Sequence, residues 1–265
     1  MKKALISSLA AAATASVLSA STAAAEGDTF VLVHGAWHVA SAWDGVIAEL
    51  NQRGHDAVAV ELPGYGKDVD RASVTFAEME QALIDTIQAQ PGNVVLVGHS
   101  AAGVLLQETA GKVAAKLDAV VFHDAFIIPD GSSLFEALPP EIGTAFAAAA
   151  EASPDNSLPV NEDFWRYVLL AGTPEAQATE IIAMMVPQPF SYYTHKLDAA
   201  AFDQVTAPKF LLLATEDSSM PEGAWAGMAT WLGDYDTIEI HGGHEVLLTD
   251  PAAVAEGLDQ ISGKL

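Results

Sequence analysis

The sequence contains no cysteine, which excludes both a disulfide framework and a lipid-modified N-terminal cysteine; the fold must rest on its apolar core. Cations are scarce: 11 lysines and arginines stand against 35 aspartates and glutamates, for a formal net charge of −24. Such a chain repels nucleic acid and anionic lipid surfaces, and its acidity is accounted for by a solvated surface. No long apolar run follows the first 25 residues, so no later membrane-spanning helix is expected. The sequence has no Gly-x-Gly-x-x-Gly. In Glu61-Leu62-Pro63-Gly64-Tyr65-Gly66 the two glycines lack the four-residue spacing of a Gly-x-x-x-x-Gly-Lys-Ser/Thr phosphate loop, and Lys67 is followed by Asp68 rather than a hydroxyl residue, so this segment reads as a turn. His-Glu-x-x-His is missing too. His241, His244 and Glu245 are close in sequence but lie at a strand end among glycines, so neither a metal nor another cofactor is expected.

The N-terminal 25 residues read as a secretory signal. Lys2 and Lys3 form a basic head, Ala4 to Ala20 an uncharged segment, and Ala23-Ala24-Ala25 a small-x-small cleavage site before Glu26. An uncleaved anchor would favour Leu and Ile over this Ala, Ser and Thr content, so the expectation is an exported protein, periplasmic or secreted, with no membrane attachment after cleavage. Cleavage removes two lysines and makes the net charge two units more negative. It leaves 240 of 265 residues, enough for one large α/β domain with an insertion.

Short β-branched runs alternate with helical patterns, which predicts an α/β fold with a mostly parallel, doubly wound sheet. Strands are expected at Phe30–His34, Asp56–Glu61, Asn93–Gly98, Ala119–His123, Phe210–Ala214 and Thr237–His241. A helix over Trp43–Arg53 stops before Gly54, the capping box Thr75-Phe76-Ala77-Glu78 opens one running through Ile87, and Asp250-Pro251 starts the last. The rhythm breaks between Asp130 and Ala207, a proline-rich interval with no convincing strand and helix-like pieces at Leu134–Ala150, Asp163–Ala171 and Pro174–Met185. A structureless loop of that length does not suit a compact domain, so residues 130–207 are expected to form a helical cap on a core of residues 26–129 and 208–265.

Gly98-His99-Ser100-Ala101-Ala102 joins the apolar run Asn93–Val97 to a helical pattern, the arrangement of a nucleophile elbow with alanine at its second small position. The turn strains the central residue into a left-handed conformation and lifts its hydroxyl clear of the backbone. In an open α/β sheet, ligands bind beyond the carboxyl ends of the strands. Sorting by that rule puts Ser100, Asp217 and His244 at three such ends. Serine attacks well only when an imidazole takes its proton, and a carboxylate must hold that ring in the right tautomer. Asp124 follows another strand and is the alternative acid. The turn His34-Gly35-Ala36-Trp37 suits an oxyanion hole, with the backbone N–H groups of Ala36 and Ala101 as donors. Of the apolar residues in and around the cap, Trp37, Phe126, Phe164, Trp165, Met185 and Tyr192 are the candidate pocket wall.

These segments together, Phe30 to His38, Gly98 to Gly103, Ala214 to Asp217 with Met220-Pro221, and Gly242 to Pro251, resemble the plant methylesterase and hydroxynitrile lyase branch of the α/β-hydrolases and its bacterial esterase relatives. The resemblance spans nearly the whole chain after the signal, weakly in the cap. It implies the α/β-hydrolase fold and a cofactor-free serine carboxylesterase for small to medium, uncharged or hydrophobic esters, with Ser100, Asp217 and His244 as triad. Lyases of this branch carry threonine where this chain has Gly35 and lysine where it has Glu245, which disfavours cyanide chemistry. The rival from another class is a non-catalytic ligand-binding protein on the same fold.

Overall fold

The computed structural model describes residues 27–66 and 69–265, so the expected secretory signal lies outside the described residues. The chain runs β1 (Thr29–Val33), α1 (Asp44–Gln52), β2 (Asp56–Ala59), α2 (Phe76–Ala89), β3 (Val94–His99), α3 (Ala102–Ala110) and β4 (Leu117–His123). An inserted segment follows, with α4 (Leu134–Ala137), α5 (Pro140–Ala152), β5 (Ser157–Leu158), α6 (Glu162–Phe164), α7 (Glu175–Ile182), β6 (Gln188–Pro189) and α8 (Phe190–Thr194). The core resumes with β7 (Lys209–Ala214), α9 (Ala224–Ala229), β8 (Asp236–Ile240), α10 (Val246–Thr249) and α11 (Pro251–Ser262).

The main sheet has the order β2-β1-β3-β4-β7-β8, and every neighbouring pair is parallel. Its strands are apolar on both faces because both are covered. Phe30, Leu32, Val95, Val97 and Val121 pack with Trp43, Leu50, Leu258 and Ile261 of the α1 and α11 layer. The alternate residues Val31, Val33, Leu96, Val120 and Phe122 pack with Met79, Leu83 and Leu105 of α2 and α3. The chain leaves β1 for β2 at one edge and returns past β1 to β3, so a topological switch lies between β1 and β3, where the two turns expected to meet the substrate emerge.

Local signals act where the sequence placed them. Thr75 and Glu78 form the reciprocal capping box of α2, Asp250 accepts from the Ala253 N–H at the start of α11, and Gly54 turns left-handed (φ +92°) after α1. The inserted segment departs from expectation in three ways. Leu134–Ala150 is two helices, since Pro139 and Pro140 cannot continue α4 and Pro140 starts α5. The piece expected at Asp163–Ala171 begins as α6 and widens into a π-helical turn over Trp165–Leu169. The interval also holds a strand pair, β5 with β6, antiparallel and only two residues long on each side, too short for any alternation to register.

Candidate active site

Ser100 follows β3 directly and adopts φ +55°, the left-handed conformation expected of an elbow. Backbone bonds lock it: its N–H donates to the His123 carbonyl (3.1 Å), and its carbonyl accepts from Gly103 (3.2 Å) and Phe126 (3.0 Å). A Cβ at position 98 would come within 2.6 Å of Leu106, so glycine there lets α3 pack against the strand end. Ala102, at the second small position, is buried as the first residue of α3.

His244, in the loop between β8 and α10, brings Nε2 to 3.0 Å from the Ser100 hydroxyl oxygen, while its Nδ1 lies 2.7 Å from Asp217 Oδ2. The Asp217 side chain is fully buried and its oxygens are saturated, with Ser219 N–H on Oδ1 (2.8 Å) and Trp225 Nε1–H on Oδ2 (2.7 Å). The Trp225 indole also stacks parallel on the imidazole, centroids 5.6 Å apart. The backbone of the His244 loop is held as well, because His99 Nε2 donates to the His244 carbonyl (2.9 Å). Burial opposes the charged imidazole, but the Asp217 carboxylate outweighs it and raises His244 above the ordinary histidine value. Burial likewise opposes ionised Asp217, and there the facing imidazole and hydrogen bonds win and hold the carboxyl well below the usual range.

Asp124 is brought to the same spot but with different partners. It sits at φ +37°, fully buried, and both oxygens lie 3.2 Å from the Ala214 N–H. Burial, reinforced by the Asp217 charge, pushes its pKa well above the ordinary carboxylate value, which disfavours its charged form. Its oxygens face a backbone amide, whereas Asp217 Oδ2 is the carboxyl oxygen in contact with His244 Nδ1. Both ring nitrogens of His244 are engaged, and His241 is exposed, 3.7 Å from Glu216, so the two histidines do not converge on one point.

The turn after β1 faces Ser100. Neither the Ala36 N–H nor the Ala101 N–H donates to an acceptor among the described residues, although both residues are buried. Two unpaired donors beside a serine hydroxyl suit a developing oxyanion. Trp37 holds a left-handed φ of +63°, secured by its N–H on Gln188 Oε1 (3.1 Å) and its carbonyl on the Val186 N–H (2.8 Å).

Above these groups lies a cavity of about 170 Å³ with mainly apolar walls. Of the expected wall residues, Trp37, Phe126 and Phe164 line it. Trp165, Met185 and Tyr192 do not. Phe164 and Val168 share one face of the turn and line the cavity, so Trp165 is turned inward against Trp37 and His38. Met185 lies past the end of α7. Tyr192 is buried beneath the elbow, where its hydroxyl donates to the Ala101 carbonyl (2.8 Å). Their places are taken by Ile142, Phe146, Tyr193, Met220 and Trp225. Ile142 and Phe146 stand four apart on α5, a spacing visible in the sequence. Trp225 had no signal, since its role depends on β7 and β8 being neighbours.

Among the described residues no helix is long and apolar enough to cross a membrane. The family model for the Alpha/beta hydrolase family matches residues 30–257. A carbendazim hydrolyzing esterase from Nocardioides sp. (strain SG-4G) is 27% identical over 241 residues, covering 86% of this chain and 97% of the relative. An alpha-hydroxynitrile lyase of Arabidopsis thaliana is 27% identical over 255 residues, covering 88% and 96%. A solved extracellular alpha/beta-hydrolase from a Paenibacillus species, described as sharing structural and functional homology with tobacco salicylic acid binding protein 2, superposes with a TM-score of 0.83 at 30% identity, covering 88% of this chain and 98% of its own.

Proposed function

The chain belongs to the alpha/beta hydrolase family, and from that premise we propose that it is a carboxylic ester hydrolase working through an acyl-enzyme on Ser100. The observation that carries this reading is the continuous chain Ser100–His244–Asp217, with contacts of 3.0 and 2.7 Å, ending beside two free N–H donors. His244 takes the Ser100 proton as the oxygen attacks the ester carbonyl, and Asp217 stabilises the imidazolium. Ala36 and Ala101 N–H stabilise the tetrahedral oxyanion, and His244 returns its proton to the leaving alcohol. Water, activated by the same ring, then releases the acid.

The walls support small to medium, uncharged or hydrophobic esters. Among the described residues no lysine or arginine lines the cavity, which offers an anionic substrate no cationic partner from them, and its volume is on the order of the ~150 Å³ apolar cavity that takes up a benzene ring. Two site residues argue against lyase chemistry despite the likeness to a hydroxynitrile lyase. Glu245 stands where a lysine would stabilise cyanide, and a Cβ at Gly35 would lie 3.0 Å from both Ser100 Cβ and His99 Nδ1, leaving little room for threonine. Ser100→Ala should fold normally and lose about 10³-fold or more of aryl ester turnover, with no cyanide released from mandelonitrile by the parent protein. A folded variant keeping a tenth of the rate would refute the nucleophile. Failure of the parent protein to take a fluorophosphonate label would favour the ligand-binding reading. The basic head and Ala23-Ala24-Ala25 further support export of a chain starting at Glu26, and an intact mass beginning at Met1 in the native host would overturn it.

A further inference from the structure

Two buried side chains bordering the cavity have no part in the proton transfers above. His38 Nδ1 lies 2.8 Å from the Ala36 carbonyl oxygen, and its Nε2 lies 2.9 Å from Glu245 Oε2; both residues are at most 2% exposed. A carbonyl can only accept, so Nδ1 carries a proton. The contact between Nε2 and the carboxyl group needs a second one, on nitrogen or on oxygen. In either form the pair keeps both hydrogen bonds.

We propose that Glu245 and His38 are positioning residues that bridge the histidine loop to the oxyanion turn. This proposal rests on the hydrolase reading above. Glu245 follows His244 directly in the chain, and through His38 it grips the carbonyl of Ala36, whose own N–H is the candidate oxyanion donor. The two loops that must hold the reacting carbonyl between them are thereby tied through two buried side chains. The turn needs such a tie because Trp37 is held in a left-handed conformation that a non-glycine residue leaves readily once its restraints are removed. Its other restraints, Gln188, Val186 and the Leu158 carbonyl that accepts from the Trp37 indole N–H, come from the inserted segment rather than from the loop bearing His244.

An oxyanion donor acts most strongly in the tetrahedral state, so loosening the turn lowers kcat and leaves KM nearly unchanged. E245L, which leaves His38 Nε2 without a partner, should reduce kcat on an aryl ester by about 30- to 100-fold with KM within threefold. E245Q should recover kcat to within about threefold of the parent, because its amide N–H can donate to neutral His38 and leave the Nδ1–H on Ala36. H38L should match E245L, and the double variant should lose no more than either single one. The test is to measure kcat and KM for all four variants beside the parent, together with the affinity of each for a trifluoromethyl ketone, whose tetrahedral adduct requires the oxyanion donors. H38L serves where E245L does not fold. Equal kcat in the parent and both leucine variants, or E245Q as impaired as E245L, would overturn the positioning role while the hydrolase reading stands. A parent that turns over no ester would overturn both.

Discussion

Asp217→Asn tests the division of labour between the two buried acids. In the parent, each Asp217 oxygen faces donors, Ser219 N–H on one and both Trp225 Nε1–H and His244 Nδ1 on the other. An amide cannot satisfy all three, because one oxygen becomes an NH2 group. With the NH2 toward Ser219, two donors meet at 2.8 Å; with the NH2 toward His244, the ring must present a bare Nδ1 and move its proton to Nε2, where it can no longer accept from Ser100. Either outcome also removes the charge that stabilises the imidazolium. A fall in kcat of about 10²- to 10⁴-fold, or roughly 3 to 5 kcal/mol of transition-state stabilisation, is expected. Stability should change by only about 1–2 kcal/mol, since the loss amounts to one poorly satisfied donor. Asp124→Asn changes a carboxyl whose charged form burial already disfavours, and its amide oxygen can still accept from Ala214, so less than about a tenfold loss is expected. The assay is aryl ester turnover by both variants at the parent's pH optimum, with thermal melts to establish folding. An inactive Asp124→Asn beside a nearly unaffected Asp217→Asn would refute the assignment.

The Asp217 charge favours protonated His244, and only the neutral ring can accept the Ser100 proton. The kcat/KM profile should therefore rise with pH along a limb above the ordinary histidine value of about 6.5, and Asp217→Asn should move that limb down; a limb at or below 6.5 in the parent would contradict this. Phe146 meets Trp37, Phe164 and Tyr193 edge-on around the cavity, so Phe146→Ala should raise KM for aryl esters by about 3- to 12-fold, the worth of one aromatic pair with the substrate ring, with kcat within threefold. Steady-state kinetics on aryl and short alkyl esters separates this from a general loss, since the alkyl esters should be affected less.

The candidate nucleophile turn and the strands around it were legible because each is local. Ser100 sits in a strand-turn-helix motif whose small residues are dictated by the turn, and the strands announce themselves through runs such as Val94–Val97, apolar on both sides because both faces of the sheet are covered. The boundaries shifted by a residue or two, as at β1, where His34 left the strand for the turn. Choosing between Asp217 and Asp124 depended on what each carboxyl faces across the sheet, which spacing along the chain does not encode. The cavity wall was half legible for a related reason. Whether Trp165 or Val168 faces the cavity depends on a π-helical turn that shifts the register by a fraction of a turn, and the hydropathy of the two residues is no guide. Gln188, fully buried and joined to both Trp37 and Tyr65, had no sequence signal, because its role exists only once the inserted segment has folded onto the core.

The central claim is that Ser100 is acylated during ester turnover, and trapping the intermediate measures this directly. An aryl ester mixed with the parent protein and quenched in acid within milliseconds should give a burst of aryl alcohol near one equivalent, an intact mass increased by one acyl group, and that group on the peptide containing Ser100. Ser100→Ala should show neither burst nor adduct. Turnover without an adduct, or an acyl group on any other residue, would contradict the account.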